Sequence, residues 1–259
     1  TVLGNDDLKN FVSKELKKQN IKLNSIIDST RPTTNKNTII SNGYKMIKID
    51  KLDNQPISEK ISSKIKSLIS KEDCDLVIFS DFRHGIFNKT SIKAFISLIK
   101  KGVIKVADSQ VASRWGNITD FKNFDLITPN EKEARFSLAD QDSSISELTR
   151  ELYKKSSFKN LILKLGERGT VTVARGQKNI SSFATPSFTN RVIDAVGAGD
   201  ALLAYSSLCL VSNRSIVSSS ILGSIAAACE CELEGNIMVN KSMIVDKIDV
   251  IEKSSKFNI

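Results

Sequence analysis

The stretch Asp194-Ala195-Val196-Gly197-Ala198-Gly199-Asp200-Ala201-Leu202-Leu203 holds the residue types and spacing that bear most directly on chemistry. Two glycines fall where a loop turns into a helix. Backbone N–H groups then stand at the positive end of a helix dipole, with no side chain to block close approach. Gly197, Ala198 and Gly199 can therefore hold an anion. Asp200 sits just inside the same helix start, where a bound phosphate would repel it, so its presence calls for a task. Accepting the proton of an attacking hydroxyl is such a task. The structural alternative is simple, because Gly in a loop and Asp in a first helical turn are both common.

Other residues carry two meanings each. Asn130 and Glu133 have the spacing of a helix cap with its capping-box partner, which serves as well as a metal site would. Asp81 could accept a substrate hydroxyl or merely start a turn. Arg83 and His84 follow a strand end and could meet a substrate phosphate or lie on a loop surface. Lys164 interrupts an apolar strand, where it faces a nucleotide or snorkels to solvent. Trp115 reads as an aromatic covering the core.

Apolar runs that alternate with helical patterns must position these residues. Strands are expected at 75–80, 103–107, 124–128 and 161–165, with helical spacing at 89–101, 131–138 and 144–153 between them. That alternation is the signature of βαβ units, so the fold class is α/β with a doubly wound, mostly parallel sheet. Residues 169–174 and 180–184 read as a hairpin at the sheet's far edge, followed by a loop holding Pro186. Apolar helices follow at 201–211 and 216–231, with a last one near 242–251. Residues 37–41 and 44–49 flank Asn42-Gly43, a strong hairpin signal, and the span 30–50 is either a small lid or an ordinary edge hairpin.

Composition removes several classes. No apolar run reaches the roughly 18 to 20 residues that span a bilayer, and the start is not built as a secretion signal, so a cytoplasmic protein with no membrane partner is expected. Four cysteines without a CxxC pair do not make a disulfide framework. A single histidine leaves no His-rich metal site. The net charge of +9 comes from 29 Lys against 9 Arg, scattered and not interleaved with aromatics, so no nucleic-acid partner is expected.

The 194–203 stretch resembles the signature of the ribokinase-like (PfkB) carbohydrate kinases, usually Asp-Thr-x-Gly-Ala-Gly-Asp, and the likeness extends along the chain. Thr128-Pro129-Asn130-Glu131-Lys132-Glu133 is similar to the family's Asn-x-x-Glu element, and Leu163-Lys164-Leu165-Gly166-Glu167-Arg168-Gly169 to its strand and glycine turn beside the nucleotide phosphates. The resemblance implies ATP and Mg²⁺ as cofactors. Asp200 would be the catalytic base, with Gly197, Ala198 and Gly199 as the anion hole. Asn130 and Glu133 would organise the metal, and Asp194, Lys164, Gly166, Gly169 and Ser224 would lie on the nucleotide.

Within the family, residues 31–37 and 48–50 resemble the lid of the heptose 7-phosphate kinase branch, and Ser80-Asp81-Phe82 with Gly85 resembles its Ser-Asp-Tyr-x-x-Gly turn. Lys36, Asp81, Arg83 and His84 are then the substrate candidates, the partner is a sugar or sugar phosphate, and a homodimer through the lid is implied. There are departures. Thr38 stands where an arginine is expected, Asp108-Ser109-Gln110 where Asp-Pro-Lys is usual, and Ser224 where the branch tends to have Asn. Ala195 replaces the usual Thr, which leaves a monovalent cation open.

Thr1 to Asp7 read as the end of a strand leading into a helix at 8–19, while family members carry a first strand, a sugar-binding Asp and a Gly-Gly element before this point. The expected organisation is one kinase domain over 1–259 that lacks its N-terminal strand region, with the lid at 30–50 inside it. The alternatives are a degenerate kinase acting as a nucleotide- or sugar-binding regulator, and a kinase for a neutral sugar or nucleoside.

Overall fold

The computed structural model describes all residues except 43, 111–115, 117, 177–179 and 255–259, so Gly43 and Trp115 lie outside the described residues. In chain order the elements begin β1 (Val2–Leu3), α1 (Asp7–Lys18), β2 (Ile26–Ile27), β3 (Asn35–Ser41), β4 (Tyr44–Lys51) and α2 (Glu59–Ile69). Next come β5 (Leu76–Asp81), α3 (Lys89–Ile96), β6 (Ile104–Ser109), β7 (Leu126–Ile127), α4 (Glu131–Leu138) and α5 (Ile145–Ser156). The chain continues through β8 (Asn160–Lys164), β9 (Thr170–Arg175), β10 (Ile180–Thr185), α6 (Ala198–Asn213), α7 (Ile216–Cys231) and α8 (Lys241–Ser254).

Two compact units result. The first takes Thr1–Asp73 and Asp81–Lys101; the second takes Cys74–Ser80 and, among the described residues, 102–110 and everything from 116 on. In the first unit β1 and β2 pair in parallel, and β3 and β4 form an antiparallel hairpin with a register shift between Ile39 and Ile40. Every residue of β4 is exposed, including Tyr44, Met46, Ile47 and Ile49.

The second unit is built on a six-stranded sheet in the order β10-β9-β8-β7-β6-β5. β6, β7 and β8 run parallel, and β9 and β10 continue the sheet antiparallel. Ile104, Val106, Leu126 and Ile162 from the central strands meet Leu202, Leu203 and Leu210 of α6 in one buried cluster. Burying side chains of this size stabilises by roughly 1.5 to 3 kcal/mol each. This packing fixes α6 against the sheet. Phe79 meets Phe121 and Phe124 edge-on, with centroids 5.8 and 5.3 Å away.

Most helices announce their starts. Asp6, Ser58, Asn88, Asn130, Ser144 and Ser215 each accept a backbone N–H of the helix that follows, which satisfies one of its orphan donors. Gly197, at the head of α6, offers no side chain to do so.

Candidate active site

The head of α6 is shaped by two glycines. Gly197 has φ +92°, a left-handed conformation, and a Cβ there would fall 2.5 Å from Glu230 Oε1 and 2.6 Å from Asn236 Oδ1. Only glycine fits. The first intrahelical bond is Ala201 N–H to the Gly197 carbonyl at 2.9 Å, so the amides of Ala198, Gly199 and Asp200 precede the helix's own ladder. A sixteen-residue helix whose first amides have no side-chain cap favours an anion at that end. The preceding loop is tethered, because Ile193 and Asp194 both donate their N–H to the Cys231 carbonyl, at 2.7 and 3.1 Å. Asp194 Oδ1 then accepts the Val196 N–H at 3.1 Å.

This helix start opens on a cavity of about 560 Å³ that is also lined by Asp108, Asn130, Glu133 and Lys164. Lys164, the last residue of β8, donates to Asp108 Oδ1 at 2.8 Å, and Thr128 Oγ1 donates to the same oxygen at 2.9 Å. Burial pulls the Lys164 ammonium down, but the carboxylates of Asp108, Glu133 and Asp200 outweigh it and raise its pKa. Lys164 therefore stays cationic. Glu133 is pushed up to about 7, first by burial, with Asp108 and Asp200 adding to the effect and Lys164 opposing it. Asn130 and Glu133 close a reciprocal capping box: Asn130 Oδ1 accepts the Glu133 N–H at 2.8 Å, and Glu133 Oε2 accepts the Asn130 N–H at 2.7 Å.

The remaining nucleotide candidates line the same cavity. Gly166 and Gly169 bracket a short 3-10 turn after β8, and a Cβ at Gly169 would fall 2.1 Å from the Thr185 carbonyl oxygen. Ser224, on α7, is buried with no partner for its hydroxyl and lies beside Ala227 and Ala228. The structure thus brings together Asp200, Gly197, Ala198, Gly199, Lys164, Gly166, Gly169, Ser224, Asn130 and Glu133, with Asp194 in the loop that leads in.

Two carboxylates escaped the sequence reading as site residues. Asp108 was a departure from a family pattern, not a ligand of Lys164. Glu230 is 1% exposed behind Gly197, accepts the Ile237 N–H at 3.0 Å through Oε1, and has no partner at Oε2. Burial raises its pKa, and Asp194 and Asp200 add to that. An acid inside the apolar helical run Ala226-Ala227-Ala228-Cys229-Glu230-Cys231 was the available signal.

Lys36, Asp81, Arg83 and His84 lie in the first unit, gathered around Phe82. Arg83 has φ +63° and donates to both oxygens of Asp81, its N–H at 2.8 Å and Nη1 at 3.1 Å. Asp81 is thus occupied by Arg83. His84 stacks on Phe82, with ring centroids 6.3 Å apart, and its Nδ1 is 3.4 Å from Thr34 Oγ1. Burial and the nearby Lys36 lower its pKa. Lys36 Nζ lies 5.3 Å above the Phe82 ring. Arg83 Nε and His84 Nε2 are both buried without a hydrogen-bond partner.

The family model described as pfkB family carbohydrate kinase matches residues 1–242. Among curated proteins the chain is similar to the bifunctional protein HldE of Sulfurimonas denitrificans, 26% identical over 98% of this chain and 53% of that protein. HldE of Pelobacter propionicus is 21% identical over 100% of this chain and 53% of its own length. The chain spans about half the length of these relatives. Among solved structures it is similar to phosphofructokinase-2 of Escherichia coli in complex with potassium, with a TM-score of 0.77 and 16% identity over 97% of this chain and 81% of that one. Ribokinase of Thermotoga maritima superposes with a TM-score of 0.73 and 20% identity over 96% and 80%. The ribokinase-like α/β fold expected from the sequence is the one observed.

Proposed function

The chain belongs to the pfkB family of carbohydrate kinases, and from that premise we propose that it transfers the γ-phosphoryl group of ATP to a hydroxyl of a phosphorylated sugar, a heptose 7-phosphate or a near relative. The observation that carries this is the uncapped head of α6 with Asp200 in its first turn. The amides from Gly197 to Gly199 stabilise charge on the transferring group, and the Asp200 carboxylate takes the acceptor's proton. Gly166 keeps a side chain away from the nucleotide, Gly169 lets the Thr185 to Ser187 backbone, part of the cavity wall, pass close by, and the Ser224 hydroxyl is a polar contact in the otherwise apolar wall beside it.

Among the described residues no group of three or more His, Cys, Asp or Glu forms a ready metal cluster. Four carboxylates, those of Asp108, Glu133, Glu167 and Asp200, nevertheless line the cavity against one ammonium, a donor set suited to a hard dication that keeps its waters and binds through substrate phosphates. Glu133, oriented by Asn130, would hold Mg²⁺, which would offset phosphate charge when bound.

Support for a phosphorylated acceptor comes from the first unit. Arg83 Nε is a buried donor without a partner, and His84 Nε2 is a second one when Nδ1 accepts from Thr34; both are costly to leave unpaired, and an anion beside Lys36 satisfies them. The exposed apolar side chains of β3 and β4 support a homodimer through the hairpin. The test is kcat/KM for paired neutral and phosphorylated sugars, in the parent and in Lys36→Ala. A preference of at least tenfold for the phosphorylated members, lost in the variant, is expected; equal rates in both proteins would leave a neutral-sugar kinase.

A further inference from the structure

Lys164 is the only cation among the described residues that line the cavity. The three strand residues before it, Leu161, Ile162 and Leu163, are apolar and fully buried, so an ammonium at the strand's end loses much of its hydration. Such a group persists only where its surroundings compensate, and Asp108 does so at 2.8 Å. One hydrogen bond uses one of three ammonium donors. Nζ also lies 3.3 Å from where a Cβ on Gly199 would stand, against the last residue of the anion hole. Any side chain at Gly199 would meet the ammonium, so that glycine keeps the cation at the hole. Asp108, for its part, is held by Thr128 as well, which fixes the anchor from a second side.

We propose that Lys164 is a catalytic residue whose ammonium, held on Asp108, contacts the oxygens of the transferring phosphoryl group and offsets the charge that develops there. The proposal rests on the kinase reading and adds a role to it. In the step concerned, the bond from the γ-phosphorus to the β–γ bridging oxygen breaks and its electron pair leaves with ADP. The acceptor oxygen bonds to the γ-phosphorus, and its proton goes to Asp200. Lys164 gains and loses no proton, consistent with a pKa raised by the surrounding carboxylates. A fixed cation of this kind acts mainly on the transition state, so it affects turnover more than nucleotide affinity.

The competing role is structural: Lys164 would only neutralise Asp108. Four proteins separate the two, namely the parent, Lys164→Gln, Lys164→Arg and the double variant Lys164→Gln/Asp108→Asn. Each is measured for kcat with a sugar phosphate acceptor, for ATP Kd by calorimetry, and for folding by circular dichroism. Catalysis by Lys164 predicts a fall in kcat of roughly 10² to 10³ in Lys164→Gln, as for loss of one oxyanion donor, with a smaller change in Kd. Lys164→Arg should recover part of that loss, and the double variant should stay at the level of Lys164→Gln. Recovery in the double variant would show that only the unpaired Asp108 was harmful. Turnover of Lys164→Gln within threefold of the parent, or a loss confined to Kd, would also overturn the proposal. Should Lys164→Gln not fold, the comparison of Lys164→Arg with the double variant decides on the same terms. A parent with no ATP-dependent transfer removes the kinase reading and this role with it, whereas an active parent with an unaffected Lys164→Gln removes this role alone.

Discussion

Two helices begin on the same cavity, and their starts are finished in opposite ways. α4 is closed by its own residues: Asn130 and Glu133 exchange side-chain to backbone hydrogen bonds, so the amides of these two are already spent. α6 has a glycine at that place, a left-handed turn and no cap. The closed start is the stable one, since a good cap contributes on the order of 1 kcal/mol. The open start forgoes that contribution and keeps donors for a ligand. On the proposed kinase reading, function is visible here as a local rule left unsatisfied.

The largest effect should come from the open start. Asp200→Asn removes the proton acceptor while leaving the helix, its amides and most of the cavity in place. A fall in kcat of roughly 10²-fold or more is expected, with ATP affinity little changed. Steady-state turnover beside calorimetry checks it, and unaltered turnover would falsify the assignment of Asp200.

Next is Gly197→Ala, which introduces a Cβ 2.5 Å from Glu230 Oε1 at a φ that side chains rarely adopt. Strain of this type costs on the order of 1 to 3 kcal/mol. Thermal unfolding should show the loss, and ATP affinity should fall with it because the amides turn away. At the closed start, an alanine in the same relative place removes a side chain and adds none, so no such strain arises.

Glu133 gives the comparison a pH dependence. Its carboxyl has an ordinary value of 4.5 and stands near 7 in the fold, chiefly through burial. Between those values the folded chain holds a proton that the unfolded chain has released, so stability must fall as pH rises through the window. The effect is on the order of 2 to 3 kcal/mol, from about 1.4 kcal/mol per pKa unit. Melting curves from pH 4.5 to 7 should show a decline in the parent that is largely absent in Glu133→Gln. Parent and Glu133→Gln curves that run in parallel over that range would mean that Glu133 is ionised throughout, since His84, with its lowered pKa, acts alike in both.

The two starts also differed in how legible they were. α4 was expected at 131–138 and forms there, because Asn-x-x-Glu is a start signal written in side chains. α6 was expected from Ala201 and begins at Ala198, since Gly-Ala-Gly has weak local preference for helix and the turn is imposed by packing. The hairpin expected at 169–174 and 180–184 forms as β9 and β10 at the sheet's edge. The strand expected at 103–107 runs on through Asp108 and Ser109, whose polarity hid them although both are buried. The strand read at 124–128 shrinks to two residues. β1 falls within the strand end expected at the start of the chain, whereas α2 and the short β2 went unread, β2 because two residues carry no periodicity. Glu230 was hidden for a related reason, because its partners Gly197 and Ile237 come from other elements.

The smallest expected effect separates the two duties given to Asn130. As a cap, it is matched by Asp, which ranks with Asn at helix starts, so Asn130→Asp should leave stability within about 0.5 kcal/mol while Asn130→Ala loses about 1 kcal/mol. As a partner of Mg²⁺, it acts through Glu133, whose Oε2 it holds by its backbone N–H at 2.7 Å. That backbone bond survives either substitution. The Mg²⁺ concentration for half-maximal turnover should therefore shift less in both Asn130 variants than in Glu133→Gln, which loses the charged oxygen itself. Titrating Mg²⁺ at saturating ATP and acceptor, with melting curves on the same samples, gives both readouts. A shift in Asn130→Ala as large as that in Glu133→Gln would mean that the Asn130 side chain serves the metal directly and that the closed start of α4 is opened when substrate binds.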